Sequence, residues 1–457
     1  MNSLSAITKL VICSLLFSIS LSGCRSKSEQ KLFLGVPVTE IEFELNSVLA
    51  KWYPRIIDTI NGGYWTNFDH DWSMSQNQDK MLVTQARGLW TAAKAAFLFP
   101  ENEVFKRAAD HGYKFLTERM WDWQHGGFFL DYIVNSDRIQ DKAYKHIYGN
   151  AFALYGLAEY AKINKDTAVL NWVKRTFNWL ERFAHDPVYG GYYNIIVSPG
   201  LKVTEIEAAQ IINRAGWSPA GWKDQNSSIH LLEAITNTCQ VWPDELVKER
   251  LEEMLKIVRD TMTCDEGYLH LYFTRDLKPV IFKDSSRSFI EKNMRWDHVS
   301  FGHDIETAYL LLDASETLYG EPDPVTFKKA KKMVDHTLKS GFDSDYYGLF
   351  ERGYYFKGAD QIEIMDKRKS WWAQAEAWHS LALFATLYPD EPVYQDAFRK
   401  MWTYIKNEIV DHQYGEWYSN GLDTSPESKT SLKASAWKGA YHNTRALAEV
   451  LKMAQGE

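Results

Sequence analysis

The sequence predicts an all-α (α/α)6 toroid of twelve helices, and three observations predict it. Six short aromatic and glycine segments punctuate the chain: "GGYW" at Gly62, "GGFFLDY" at Gly126, "GGYYN" at Gly190, "EGYLHLY" at Glu266, "YYGLF" at Tyr346 and "YGEWYSNG" at Tyr414. Such a period marks a repeat architecture. Between consecutive segments lie two runs of helical periodicity. The segment ahead of the first glycine pair supplies a partner for the last run, so a ring of six pairs closes and buries its apolar faces without exposed ends.

In chain order, Lys9 precedes the apolar run "LVICSLLFSIS", which is too short to anchor in a bilayer and reads as the core of a signal peptide over residues 1–23. It stops at "LSGC", Leu21 to Cys24, the pattern of a bacterial lipoprotein box in which Cys24 is lipidated. A polar tether follows over 24–31. Arg25 and Ser26 include no aspartate, the usual inner-membrane retention mark, so an outer-membrane anchor is expected. The barrel is assigned to 32–457 as a single domain.

The first helix is placed at about 42–59. Each later pair opens with a run beginning near Met81, Tyr144, Asn226, Gly302, Ser370 or Ala436. The second runs begin near Glu103, Thr167, Asp244, Asp323 and Glu391. Two long irregular stretches, Val197 to Gln225 and Thr274 to Ser300, each lead into the first helix of a pair, and loops of this length are usually functional lids. They are expected to roof one mouth.

Composition narrows the function. The 457 residues are 45% hydrophobic and 14% aromatic, with 18 Trp and 25 Tyr, ample for a large core and rich in rings that stack on sugars. The net charge of -8 is dispersed, and no basic block invites nucleic acid. Cys239 and Cys264 fall at opposite ends of neighbouring helices, about 25 Å apart at 1.5 Å per residue, and are expected as free thiols.

In a toroid of helix pairs the inner helices all point the same way, so their first turns converge. Those turns carry Arg87 and Trp90; Tyr148; Asn226, His230 and Glu233; His303, Asp304 and Glu306; Trp371, Trp372 and Glu376; and Trp437, Lys438, Tyr441, His442 and Arg445. Taken singly, each has a bland reading: a hydrogen-bonded core histidine, an aromatic packing pair, Asp304 as a helix cap. Convergence of three histidines on one cavity favours function. His230 and Glu233, like His303 and Glu306, stand three apart, yet neither pair forms H-E-x-x-H, no cysteine cluster accompanies them, and no metal is expected. Phosphate-loop, G-x-S-x-G and dinucleotide motifs are absent.

The stretches "QARGLW", "NSSIHLLEA", "FGHDIETAYLL", "WWAQAEA" and "WKGAYHNTRA" together resemble the N-acylglucosamine 2-epimerase family, most closely its cellobiose and mannobiose 2-epimerase branch. The resemblance implies an (α/α)6 barrel, no cofactor and a reducing mono- or disaccharide substrate. It implies that His442 and His303 are an acid and base pair flanking the sugar, that Glu306 holds or helps His303, that His230 assists ring opening and that Arg87 binds the carbonyl oxygen. Tyr148, Asn226, Trp371, Trp372, Glu376 and Trp437 are the accompanying substrate-binding positions. One departure is Ser228, where the branch often has a histidine. The implied chemistry opens the sugar, removes the C2 proton to give an enediolate and returns a proton on either face. Imidazole suits both steps near neutral pH, and a helix N-terminus would keep His303 neutral. Rival readings are an aldose–ketose isomerase, a glycoside hydrolase or lyase pairing Asp304 or Glu306 with Glu376, and a lipid-anchored sugar-binding protein without turnover.

Overall fold

The computed structural model describes residues 31–456 apart from 137, 141, 142 and 322. The expected signal segment, Cys24 and all but the last tether residue lie outside the described residues. The chain forms α1 (Val38–Trp52), α2 (Leu82–Leu98), α3 (Glu103–Phe115), α4 (Ile147–Ile163), α5 (Thr167–Phe183), α6 (Glu205–Ala215), α7 (Gln225–Val241) and α8 (Glu245–Lys256). It continues with α9 (Arg287–Lys292), α10 (Phe301–Tyr319), α11 (Pro324–Ser340), α12 (Trp371–Leu387), α13 (Pro392–Tyr404) and α14 (Tyr441–Gln455).

Twelve of these make the toroid. The inner helices pack in one cycle, α2 on α4, then α7, α10, α12, α14 and back to α2, while α3, α5, α8, α11, α13 and α1 each back one of them. Burial follows the layer. Every residue of α4 but the last two is buried, whereas α5 buries the stripe Val169, Val173, Thr176, Phe177 and Leu180 and leaves its other face to water. No helix among the described residues is long and apolar enough to cross a membrane.

Three helices differ from expectation at a boundary for local reasons, among them α4, which starts at Ile147 and not near Tyr144 because Tyr144–His146 pairs as a strand with Ile195–Val197. The first helix ends at Trp52 because Pro54 bars its continuation. The last inner helix starts at Tyr441, not near Ala436, because Lys438 is pulled into a buried ion pair with Glu416 at 2.6 Å. The two long stretches are also not wholly irregular: each contains a short helix, α6 or α9. That of α6 was announced by a capping box, Thr204 with Glu207, which the sequence reading passed over.

Each aromatic and glycine segment is a tight return from an outer helix. At the second, Gly126 and Gly127 adopt φ of +74° and +71°, and a Cβ on Gly127 would fall 2.4 Å from the Trp179 ring. In five repeats an aspartate four residues ahead of the first left-handed residue of the turn, a glycine or Tyr347, accepts backbone N–H groups of the return, as Asp122 does from Gln124 and His125 at 2.9 and 3.0 Å. A buried lysine from the segment entering the next inner helix neutralises it. The pairs are Lys80–Asp58, Lys145–Asp122, Lys223–Asp186, Lys369–Asp343 and Lys433–Asp411, at 2.5–3.1 Å. The fourth repeat has neither member. Cys264 stands in the aspartate position, and Val299, two residues before α10, in the lysine position. Losing both together avoids the uncompensated buried charge that losing one would leave. Both body cysteines are free, as expected, though Cys264 is only half-buried.

Candidate active site

The first turns of the six inner helices, with the loop before α14, enclose a cavity of about 210 Å3 lined by Arg87, Tyr148, Asn226, His230, His303, Glu306, Trp371, Trp372, Trp437 and His442. All but one of the substrate and catalytic positions read from the sequence thus share one space. The exception, Glu376, lies behind it, bound to His442. The volume is below the roughly 300–1,000 Å3 of pockets for drug-sized ligands, and suits one sugar ring with any further unit outside.

Each histidine is held by its Nδ1 from behind. His442 Nδ1 meets Glu376 Oε1 at 2.6 Å, His230 Nδ1 meets Glu233 Oε2 at 2.9 Å, and His303 Nδ1 meets Ser300 Oγ at 2.7 Å. In all three rings Nε2 is the nitrogen left for a ligand. The Trp372 ring joins two of them, its centroid 4.7 Å from His303 and 5.8 Å from His442. Burial, then the nearby His230, His298 and His442, pulls His303 down to about 3. Burial, then Arg87 and Arg445, pulls His442 well below its ordinary range. Both rings are therefore neutral at physiological pH. The neutrality expected of His303 is present, but its main cause is desolvation and not the helix terminus.

Behind the histidines lies Arg445, 3% exposed, which the sequence placed in the last inner turn without a role. Its guanidinium pairs with Glu233 and Glu306 and, at 2.7 Å, with Glu376. One cation thus fixes the two carboxylates that orient His230 and His442, together with Glu306. Tyr441 and Tyr309 complete the layer, donating to Glu233 at 2.9 Å and Glu376 at 2.7 Å. Burial pushes Glu233 up, but Arg445 and His230 outweigh it and leave the carboxyl at about 2. Burial and then Glu376 push Glu306 up to about 7 against Arg445.

The expected link from Glu306 to His303 is not made. Glu306 Oε1 bonds Arg445 and its Oε2 is buried without a partner among the described residues, while His303 turns to Ser300, a residue the sequence reading missed. Other buried polar atoms of the lining, Arg87 Nε, Asn226 Oδ1 and Trp371 Nε1, also lack partners. Unsatisfied atoms concentrated on one cavity are what a polyhydroxylated ligand would satisfy. On the Arg87 side, Nη2 donates to Tyr148 OH at 2.8 Å and the guanidinium lies 4.2 Å from the Phe152 ring centre.

Asp304 and Ser228 belong to the scaffold. Both occupy the fourth position of an inner helix, as do Gln85, Asn150 and Gln374. Gln85, Asn150, Asp304 and Gln374 accept from the backbone N–H of Tyr64, Phe128, Leu269 and Leu349 at 2.7–2.9 Å. Burial pushes the Asp304 carboxyl well above the carboxylate range, so it stays protonated and replaces the amides of its counterparts. It is not the helix cap envisaged from sequence. Ser228 Oγ donates to Asp224 O at 2.7 Å, so its departure from the branch pattern lies outside the cavity. Lys438 is likewise committed to Glu416.

No pair of carboxylates flanks the cavity among the described residues, because both oxygens of Glu376 are engaged behind it. Glu306, Glu376 and His442 do have ligand atoms within 4.8 Å of one another, the geometry of a metal site. Arg445 already neutralises both carboxylates, and a dication there would have to displace it. The donor set does not fit a metal.

The long loops meet above this site, as expected. Arg295 Nη2 donates to Gly216 O at 3.1 Å and Trp222 packs on Trp296 with centroids 5.8 Å apart. Trp437 is 45% exposed at the rim.

A twelve-helix toroid that gathers three imidazoles, an arginine and aromatic rings around a one-ring cavity is a barrel enzyme of carbohydrate chemistry. The chain belongs to the N-acylglucosamine 2-epimerase (GlcNAc 2-epimerase) family, whose sequence pattern matches residues 63–446. It is 28% identical to a cellobiose 2-epimerase of Dictyoglomus turgidum, over 92% of this chain and 99% of that one. It is 25% identical to a cellobiose 2-epimerase of Bacteroides fragilis, over 90% and 98%. The solved cellobiose 2-epimerase of Spirochaeta thermophila superposes with a TM-score of 0.75 at 28% identity, covering 92% of this chain and 96% of that one.

Proposed function

We infer that the chain interconverts C2 epimers, of the glucose and mannose type, at the reducing end of a disaccharide or short oligosaccharide. The observation that carries this is the placement of His303 and His442 on one cavity against one indole. The open-chain aldehyde binds with its oxygen toward Arg87. One imidazole takes the C2 proton through Nε2, and the C–H pair of electrons becomes the C1–C2 double bond as the aldehyde oxygen takes the charge, stabilised by Arg87. The opposing imidazole, made more basic by that charge, returns a proton to the other face. That proton enters the second ring at Nε2 from the cavity, and the first imidazolium gives up the one it took, so the pair ends as it began. His230, tied to Glu233, is the group left for ring opening.

A second reading, an aldose–ketose isomerase on a monosaccharide, shares the enediolate and is favoured by the one-ring cavity volume; there the proton returns to C1. Incubation with cellobiose, mannobiose and mannose in D2O followed by NMR tests both. Epimer formation with deuterium at C2 and an intact glycosidic bond is expected; ketose alone supports the isomerase, and bond cleavage without exchange overturns both. Because burial holds His303 at about 3 and His442 well below the ordinary histidine value, kcat/KM is expected to stay flat as the pH falls through that ordinary value. A fall centred near the ordinary histidine value of about 6.5 would contradict the buried, neutral pair.

The apolar run and Leu21–Cys24 support export and lipid anchoring, with the barrel held on the cell envelope, in a role on released oligosaccharides. Cys24→Ser is expected to move the protein from the membrane to the soluble fraction, read by fractionation and immunoblot.

A further inference from the structure

The carboxylate behind His442 has a second oxygen, and what fills that oxygen bears on the ring in front. Glu376 Oε1 takes His442 Nδ1 at 2.6 Å and Arg445 at 2.7 Å, while its Oε2 takes the hydroxyl of Tyr309 at 2.7 Å. Tyr309 stands on α10, three residues after Glu306, and is 1% exposed. It does not line the active-site cavity; it borders a second cavity, of about 380 Å3, behind the Arg445 layer. Burial pushes its hydroxyl well above the ordinary tyrosine range, so it remains a donor. The arrangement recurs at His230, where Glu233 takes the ring on Oε2 and the Tyr441 hydroxyl on Oε1. A carboxylate whose far oxygen is filled by an O–H donor accepts at the near one, so the ring presents Nδ1–H to it and Nε2 keeps the lone pair. The titratable and charged groups packed on Glu376 are Glu306 and Tyr309 of α10, Tyr441, His442 and Arg445 of α14, and His379 of its own helix. Among the described residues it is Tyr309 that holds Oε2.

We propose that Tyr309 is a positioning residue for His442 in the epimerisation. By filling Glu376 Oε2 it keeps the carboxylate an acceptor, so the ring stays in the Nδ1–H form with its Nε2 lone pair turned to the sugar. This rests on the epimerase reading of the same cavity. Without the phenol the buried carboxylate is short of a donor and is stabilised by taking a proton from water. Protonated Glu376 donates to Nδ1, the ring then carries its hydrogen on Nε2, and no lone pair is left for the C2 proton. The loss is greatest at low pH and is reversed at high pH. Removing a phenol that only fills space would give a loss independent of pH.

The test compares Tyr309→Phe with the unchanged full chain at about pH 8 and about pH 6, either side of the ordinary histidine value. Steady-state kinetics on cellobiose are paired with 15N-histidine NMR of the substrate-free proteins, the His442 signals being assigned by their loss in His442→Ala. The unchanged protein should hold kcat/KM flat and show the Nδ1–H form of His442 throughout. Tyr309→Phe should match it within about twofold at the upper pH and fall about tenfold at the lower, through kcat, with KM within about twofold. Over the same range its Nε2–H form should replace the Nδ1–H form. Glu376→Gln, whose amide donates to Nδ1 as the protonated acid would, should show the Nε2–H form at both pH values. No loss in Tyr309→Phe, a loss of equal size at both pH values, or an Nδ1–H ring in either variant at the lower pH would overturn the proposal while leaving the epimerase reading intact. Absence of C2 exchange by the unchanged protein would instead overturn that reading, and the positioning role with it.

Discussion

His442→Ala is expected to lower kcat for epimerisation by about a thousandfold, within the range of general acid–base groups. The imidazole is buried, its Nδ1 is anchored by Glu376 at 2.6 Å, and its Nε2 is the face turned to substrate. None of the other lining groups is expected to replace it: in the proposed reaction His303 serves the other face of C2, and Glu306 is held by Arg445. KM should change by less than about threefold, because Arg87, Asn226 and the tryptophans still hold the ground state. Steady-state kinetics read both constants, and circular dichroism checks that the fold persists. A variant keeping a tenth or more of the original kcat would remove His442 from the reaction.

The second large effect falls on stability. Arg445→Met removes the one cation shared by Glu233, Glu306 and Glu376, all of them 6% exposed or less. Breaking a buried ion pair from one side costs about 3–5 kcal/mol because the remaining charge is left without compensation. Three carboxylates share this guanidinium, so the upper end of that range is expected, read as a lower denaturant midpoint. Protonation of the orphaned carboxyls would offset part of the loss at low pH, so the deficit should shrink as the pH falls from 8 to 5. A deficit under about 1 kcal/mol, of the size seen for exposed pairs, would show that the guanidinium is dispensable.

The fold was legible because its repeat is written in local chemistry. Outer helices announced their starts with cap residues: Asn102, Asp166, Asp244 and Asp323 each accept from a first-turn N–H, so those boundaries fall within a residue of expectation. Inner starts were readable because polar and aromatic groups recur in the first turns from repeat to repeat, and this also found the lining. What sequence hid was pairing. Nothing in "GHDIE" tells that Glu306 turns to Arg445 on α14 while His303 takes Ser300, since both choices fit the same spacing. Nor does spacing distinguish Asp304, a neutral acid doing an amide's work, from a catalytic carboxylate; only its register with Gln85, Asn150 and Gln374 does so. Arg445 was visible three residues after His442, on the same helix face, and that signal was present but unused.

The central claim is that one imidazole serves each face of C2. It is tested most directly by C2–H exchange in D2O with His303→Ala and His442→Ala, each offered the glucose-type and the mannose-type epimer separately. Each variant should exchange the C2 hydrogen of only one epimer, and the two variants should differ in which one, while neither converts one epimer into the other. If either variant exchanges both epimers, or if both variants retain the same one, the two rings do not stand on opposite faces of the sugar.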